Sequence, residues 1–379
     1  MIAATALAAC GGGDGGAAPT SPPPVPTTAT PTTAAATTAP ATTAPATTAA
    51  STTAATTTAA PTTAAPTTEP AVPRQPLTGE LLTDWSEVTA RPALVVKIDN
   101  ATGARRNHTG LARADLVFEE IVEGSITRFA AVFHTQDADP VGPIRSGRSQ
   151  DVDLLTGLRN PLFAWSGGNP GVTRLIAEST FVDLNWQHTP NTYARGAGST
   201  PHNLYSSTER LWTHIPFGHP GAPPQQFEYL DEGTSFTGDP IVGADVQMRG
   251  IDVAWDWAES VGQFVRSQEG APHNDQTYGR IHATNVVMMV VEYQPSQIDA
   301  RSPEAQTIGN GPVYVISEGK AVEGRWTREA NDQPIRLVDT DGEALRLNPG
   351  ITWVELVEAI PTADPAHPGA DVSFRYASG

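Results

Sequence analysis

From Gly15 to Thr68 the chain carries no charged residue, only alanine, threonine and proline with a few glycines, serines and a valine. The units Thr-Thr-Ala-Pro and Ala-Thr-Thr-Ala-Pro recur between Thr37 and Thr67. Such a segment has almost nothing to bury and cannot offset the entropy lost on ordering its backbone. It reads as a disordered tether over residues 11–76, so everything that folds lies beyond it. A chain of about 60 such residues spans roughly 45 Å as a coil and about 190 Å as extended polyproline II. Its threonine density also suits O-glycosylation.

The single cysteine, Cys10, stands just ahead of this tract in Leu7-Ala8-Ala9-Cys10-Gly11. An apolar stretch ending in small residues before a cysteine looks like the lipobox of a bacterial lipoprotein, so residues 1–10 read as a signal remnant with Cys10 lipidated. The stretch is too short to span a bilayer. Two or three acyl chains on Cys10 would anchor the protein stably, where one would not. Nothing basic precedes the apolar stretch, which places the natural start upstream of Met1. The expected location is the outer face of the cytoplasmic membrane, with the body extending into the cell wall. A lipidated Cys10 leaves the folded part without a thiol, so its stability must come from its core.

Formal net charge is −18, and only Asp14, Glu69 and Arg74 are charged before residue 77. A body this acidic repels polyphosphate backbones and anionic membrane surfaces, so nucleic acid is excluded as a partner. Only Lys97 and Lys320 are lysines; arginine carries the remaining positive charge.

Regular patterns begin after Arg74. Arg91–Asn100 reads as a turn and then a buried strand ending in polar residues; Leu116–Val122 and Ile126–His134 read as two more strands, joined around Gly124-Ser125. Arg148–Leu158 has helical spacing, and Leu162–Trp165 is a short apolar strand. Pro170–Glu178 is a helix capped by Asn169 with Pro170 at its first position. Ser206–His214 is a third helix. A Pro/Gly-rich stretch over 221–242 reads as a linker. Beyond it Asn285–Tyr293 is the most apolar run, expected as a central strand. Hairpin signals follow at Ser317–Lys320, between expected strands Val313–Ile316 and Ala321–Thr327, and at Asp339–Glu343, between expected strands Ile335–Val338 and Ala344–Leu347. Ile351–Val357 is expected to close the sheet. The fold class is an α/β N-terminal domain with a mixed sheet (77–220), then an antiparallel β-rich C-terminal domain (243–360) and a tail (361–379).

Lys-Ile-Asp-Asn at 97–100, Leu-Ala-Arg-Ala-Asp at 111–115, Glu-Gly-Ser-Ile-Thr-Arg-Phe at 123–129, Gly-Pro-Ile-Arg-Ser-Gly-Arg at 142–148 and Pro-His-Asn-Leu-Tyr at 201–205 together resemble the YerB-like lipoprotein family. Arg266, Asp275, Asn285-Val286-Val287 and Leu347–Trp353 extend the resemblance through residues 80–360. It implies two domains and an anchor outside the membrane, and supplies no activity. Ser125 departs from the family pattern, where a second glycine is expected.

Gly142–Asp151 is the richest segment chemically. Arg145 and Arg148 present two planar donor forks just before a helix, with Ser146 and Asp151 beside them, which suits a carboxylate or phosphate. The alternative is internal pairing with Glu119, Glu120 or Asp151, with the serines capping the helix. On a strand, Glu119 and Glu123 share one face and Glu120 the other. Two carboxylates on one face suit acid and base roles in glycoside cleavage, or calcium or magnesium. They equally suit pairing with Arg128, Arg105 or Arg106. Asp99 and Asn100 follow a strand's end, where α/β sheets place ligands, or stabilise the turn there. His202, next to Asn203, is the best candidate for proton transfer. No His-Glu-x-x-His pair, nucleophile elbow, Walker loop or dinucleotide glycine triplet occurs, so neither metal nor cofactor is expected.

Two functions fit. One is a non-catalytic binding module for a cell-envelope ligand or envelope protein partner, using Asp99, Asn100, Arg128, Arg145, Ser146, Arg148, Asp151 and Asn203. The other is an envelope hydrolase or transferase acting on a carbohydrate or anionic substrate, with Glu119, Glu123 and His202 as its catalytic groups. The missing nucleophile and metal motifs favour binding.

Overall fold

The computed structural model describes residues 72–365 and 367–377. Cys10 and the Thr/Ala/Pro tract lie outside the described residues.

Fourteen strands carry the architecture: β1 Leu94–Asp99, β2 Leu116–Val122, β3 Ile126–Phe133, β4 Leu162–Trp165, β5 Val182–Asn185, β6 Gly243–Met248, β7 Ile251–Ala258, β8 Gln263–Gln268, β9 Asn285–Val291, β10 Gly309–Ser317, β11 Lys320–Arg328, β12 Arg336–Asp339, β13 Thr352–Glu358 and β14 Val372–Arg375. One large sheet runs β12-β11-β10-β9-β13-β2-β3-β1-β4-β5. The N-terminal part is mixed: β1 pairs antiparallel with β3 but parallel with β4, which pairs parallel with β5. A second sheet, built antiparallel from β6, β7, β8 and β14, belongs to the β-rich C-terminal part.

β13 is not an edge strand. Thr352 to Glu358 lies between β9 and β2 and runs parallel to both, with Thr352 opposite both Asn285 and Leu116. The chain's late strand therefore joins the N-terminal strands to the C-terminal ones in a single hydrogen-bonded sheet. Its run Trp-Val-Glu-Leu-Val is apolar on both faces, and all of β1, β2 and β9 is buried, as strands covered on two sides must be.

One face of this sheet, with Val96, Ile98, Phe129, Met288 and Trp353, packs against alternate residues Val246, Val253, Trp255 and Phe264 of the second sheet. The opposite face, with Val95, Phe118, Val132, Met289 and Leu356, is covered by Leu154, Leu155, Val172 and Ile176 from the helices α1 (Gln150–Leu155) and α2 (Pro170–Glu178). Asn169 caps α2 as its sequence indicates, its side chain accepting from Val172 N at 2.8 Å.

Two sequence expectations are corrected here. α1 covers only Gln150–Leu155, followed by a short 3-10 turn, because Arg148 is drawn to Glu123 and the Ser149 hydroxyl to that of Ser296, 2.7 Å away. The expected strand Ala344–Leu347 pairs only through isolated bridges, Val338 with Ala344 and Tyr229 with Leu347. The stretch 221–242 packs through the buried Phe227, Tyr229 and Phe236, and Asp239-Pro240 pairs with β11.

Because β13 is interior to both halves, unfolding by denaturant should give one transition, coincident by tryptophan fluorescence and far-UV circular dichroism. Trp353→Ala should shift that whole transition by about 3–5 kcal/mol, the usual cost of deleting a buried aromatic. Two separated transitions would show that the halves fold independently.

Candidate functional site

Past Val96, β4 leaves the edge of β1 and the segment Pro143–Arg145 takes its place. Asp99 N donates to Pro143 O at 2.9 Å, Arg145 N donates to Lys97 O at 2.8 Å, and Ser166 N donates to Arg145 O at 3.0 Å. This substitution delivers Arg145 and Arg148 to the C-terminal end of β1. The register sets what they meet: Asp99 lies opposite Arg128, and Arg128 opposite Glu120, so all three share one sheet face with Lys97.

Lys97 anchors the floor. Its Nζ contacts Glu120 and lies 2.8 Å from Asp151 Oδ1, and none of the three side chains is exposed. The second Asp151 oxygen accepts from Arg148 N at 2.6 Å. Asp151 is thus spent on holding the arginine loop in place, and the expected serine caps do not form. Burial and the nearby Asp151 charge push Glu120 up to about 7 against the pull of Lys97.

Above this floor three arginines gather. Arg148 grips Glu123 with its fork, Nε to Oε2 at 2.7 Å and Nη2 to Oε1. Arg128 Nη2 reaches the same carboxylate at 3.4 Å. Arg145 Nε lies 3.3 Å from Asp99 Oδ2. That oxygen also holds His202 Nδ1 at 2.6 Å, orienting the imidazole with its other nitrogen unpartnered among the described residues. Burial opposes the charge on Glu123, yet the Arg148 hydrogen bond and the Arg128 and Arg148 charges hold it down at about 2.

Arg128 is the anomaly. Its side chain is only 3 % exposed, and both Nε and Nη1 are buried without a partner. Burial and the neighbouring Arg148 charge lower it to about 10. A buried guanidinium with unmet donors is costly, and proteins rarely retain one without use for it. The groups around it remain reachable: the side chains of Arg145, His202 and Glu123 are 26 %, 28 % and 39 % exposed.

The other sequence candidates lie elsewhere. Glu119 and Glu123 do not converge: Glu123 falls beyond the end of β2, in the three-residue loop to β3, where strand alternation no longer applies. Glu119 faces the second sheet, wholly buried, its Oε2 2.7 Å from Arg266 Nη2. Asn100 faces the same way, donating to Thr127 Oγ1 at 2.6 Å and Gln268 Oε1 at 3.1 Å. Asn203 is spent within its own loop, accepting from Arg195 Nη1 at 2.9 Å and donating to Gly198 O. Ser146 is buried beneath Gly167 at the arginine loop. The internal partners expected for Arg145 and Arg148, namely Glu119, Glu120 and Asp151, are taken instead by Arg266 and Lys97, leaving Asp99 and Glu123 for the arginines.

Behind the site runs a polar chain that spacing did not reveal. Arg266 Nη1 donates to His273 Nδ1 at 2.7 Å; His273 Nε2 faces His108 Nδ1 at 2.8 Å; His108 Nε2 faces the Asp99 carbonyl at 2.6 Å. One assignment of tautomers, with both rings neutral, satisfies every contact. Burial drives His108 down to about 4 and His273 well below its usual value. Glu355 completes the cluster, accepting from Trp255 Nε1 at 3.0 Å, with burial and Glu119 raising it well above the carboxylate range. The available signals were Lys97 and Glu355, ionisable residues inside the apolar runs Val-Val-Lys-Ile and Trp-Val-Glu-Leu-Val.

Residues 77–219 match the family described as Protein of unknown function (DUF3048) N-terminal domain, and residues 244–354 match its C-terminal domain. The chain is 25 % identical over 310 residues to a Bacillus subtilis (strain 168) protein named "Putative lipoprotein YerB", covering 76 % of this chain and 88 % of the relative. The crystal structure of YerB protein from Bacillus subtilis superposes with a TM-score of 0.65 at 25 % identity, covering 79 % of this chain and 99 % of that one. The chain belongs to the YerB-like family. Within the YerB-like chain described here, the Asp99, Arg145 and His202 contacts tie together three of the sequence segments that carried the resemblance.

A buried histidine that stays neutral loses its folded-state advantage when the unfolded chain takes up protons. For His108 that begins near 6.5 and continues down to about 4. The stability advantage of wild type over His108→Gln should therefore grow as pH rises from about 4 to 6.5 and be flat above, read from urea midpoints across that range.

Proposed function

We propose that this protein is a lipid-anchored extracytoplasmic binding module. Its site takes an anionic group carried by a cell-envelope ligand or an envelope protein partner. The observation that carries the reading is Arg128, a buried guanidinium with two unmet nitrogens beside Arg145 and Arg148. In a chain of net charge −18, cations concentrated at one strand end stand out as a place for a negative group. The name of the Bacillus subtilis relative agrees with the lipobox around Cys10, and no helix among the described residues is long and apolar enough to cross a membrane. The hydrolase or transferase alternative finds less support. Of its three groups, Glu119 is enclosed against Arg266 and Glu123 is held by two arginines, leaving only His202 oriented and open.

Purified cell-wall fragments and envelope extract should be captured by the soluble body and lost by Arg145→Ala/Arg148→Ala, read by pull-down and product analysis. Equal capture by both proteins would assign the arginines to scaffolding. Cys10→Ser should release the protein from membranes into the medium, and continued membrane retention would refute lipid anchoring.

A further inference from the structure

We infer that Glu123 is a built-in stand-in for the ligand, occupying an arginine cradle whose true occupant is a phosphate-type dianion that turns Glu123 out. The inference rests on the anion-site reading above and assigns its ligand chemistry.

Glu123 sits as a bound anion would. Both its oxygens take the Arg148 fork, and one also meets Arg128. Yet it is not locked in by packing: its side chain is 39 % exposed and it begins the three-residue loop Glu123-Gly124-Ser125. Gly124 has a φ of +80° and open space where a Cβ would stand, so nothing packs against the loop tip on that side. Ser125 also holds a positive φ, at 53°. A side chain other than glycine in that region costs energy.

The donors that Glu123 leaves unfilled indicate what fits better. Arg128 Nε and Nη1 have no acceptor. The Arg145 guanidinium and the free His202 nitrogen border the same group through Asp99. A planar carboxylate offers two oxygens, already used up on Arg148 and one nitrogen of Arg128. A tetrahedral phosphate offers three or four, pointing in different directions, and so can reach several forks at once.

Charge leads to the same class. With Glu123 turned out, Arg128, Arg145 and Arg148 face Asp99 alone, an excess of two positive charges. Lys97 in the floor beneath them is already shared between Glu120 and Asp151. A dianion neutralises that excess; a carboxylate leaves half of it uncompensated in a partly buried place, which is costly. Inorganic phosphate, a phosphomonoester on a wall polymer and a lipid phosphate share this chemistry.

The test is isothermal titration calorimetry on the full chain carrying Cys10→Ser, using inorganic phosphate and, separately, acetate. Against that background, Glu123→Gln removes the competing charge while keeping the side chain's length. Phosphate should bind Glu123→Gln about tenfold more tightly than the parent, in line with the strength of a charged hydrogen bond that no longer has to be displaced. Phosphate should also outbind acetate in both proteins. Glu123→Asp, which keeps the charge but shortens the reach to Arg148, should fall between and serves if the glutamine variant does not fold. Unchanged or weaker phosphate binding by a folded Glu123→Gln, or preference for acetate, overturns the inference. The wider anion-site reading fails separately, only if Arg145→Ala/Arg148→Ala captures envelope material as well as the parent does.

Discussion

The parallel pairing of Thr352–Glu358 with both Leu116–Val122 and Asn285–Val291 is the constraint on which the rest of the molecule depends. It places Trp353 and Glu355 under the second sheet and aligns Glu355 opposite Glu119. Without that alignment Arg266 would have no pair of carboxylates to sit between, and the polar chain through His273 and His108 to Asp99 would have no origin. An arginine placed between Phe129 and Trp353, with its guanidinium carbon 5.5 and 5.2 Å from their rings, is stabilised by the ring faces as well as by the carboxylates.

Asp99 joins the two sides of the sheet. Its carbonyl ends the buried relay on one side, while its carboxylate holds His202 and Arg145 on the other. Both sets of contacts converge on one residue at a strand end, so the position of the open site is tied to the packing of the second sheet. The two buried clusters differ in kind. Both leave donors unmet, Arg266 Nε and Gln268 Nε2 in one and Arg128 Nε and Nη1 in the other, but the Arg266 cluster is wholly buried whereas the Arg128 cluster has side chains reaching solvent.

Much of the fold was legible. Leu116–Val122, Leu162–Trp165 and Pro170–Glu178 fall where alternation, apolar runs and the Asn-Pro cap put them. Those signals are local, and local physics decides them. Non-local choices were not legible. Ile351–Val357 reads equally well as an edge or an interior strand, because only its neighbours distinguish the two. The same limit governed the site. The Arg145–Arg148 spacing and Asp99 at a strand end brought attention to the right place, since both are chain-local features. Which carboxylate each arginine takes depended on Lys97 claiming Glu120 and Asp151 first, a competition among residues that lie 23 and 54 positions from Lys97. Glu123 departs from the expected face because it lies one residue past the end of its strand, where alternation no longer holds.

The position of β13 has a consequence for how the molecule comes into being. A chain made from its N-terminus presents β2 long before residues 352–358 exist. Until they arrive, β2 and then β9 each show an unpaired, largely apolar edge, the kind of surface that recruits wrong partners. Contacts this distant along the chain also close slowly. The protein's hazardous interval is therefore the passage of its own last hundred residues. Its maturation should depend on whatever shields open sheet edges while the chain is being completed, more than on the final stability of the sheet.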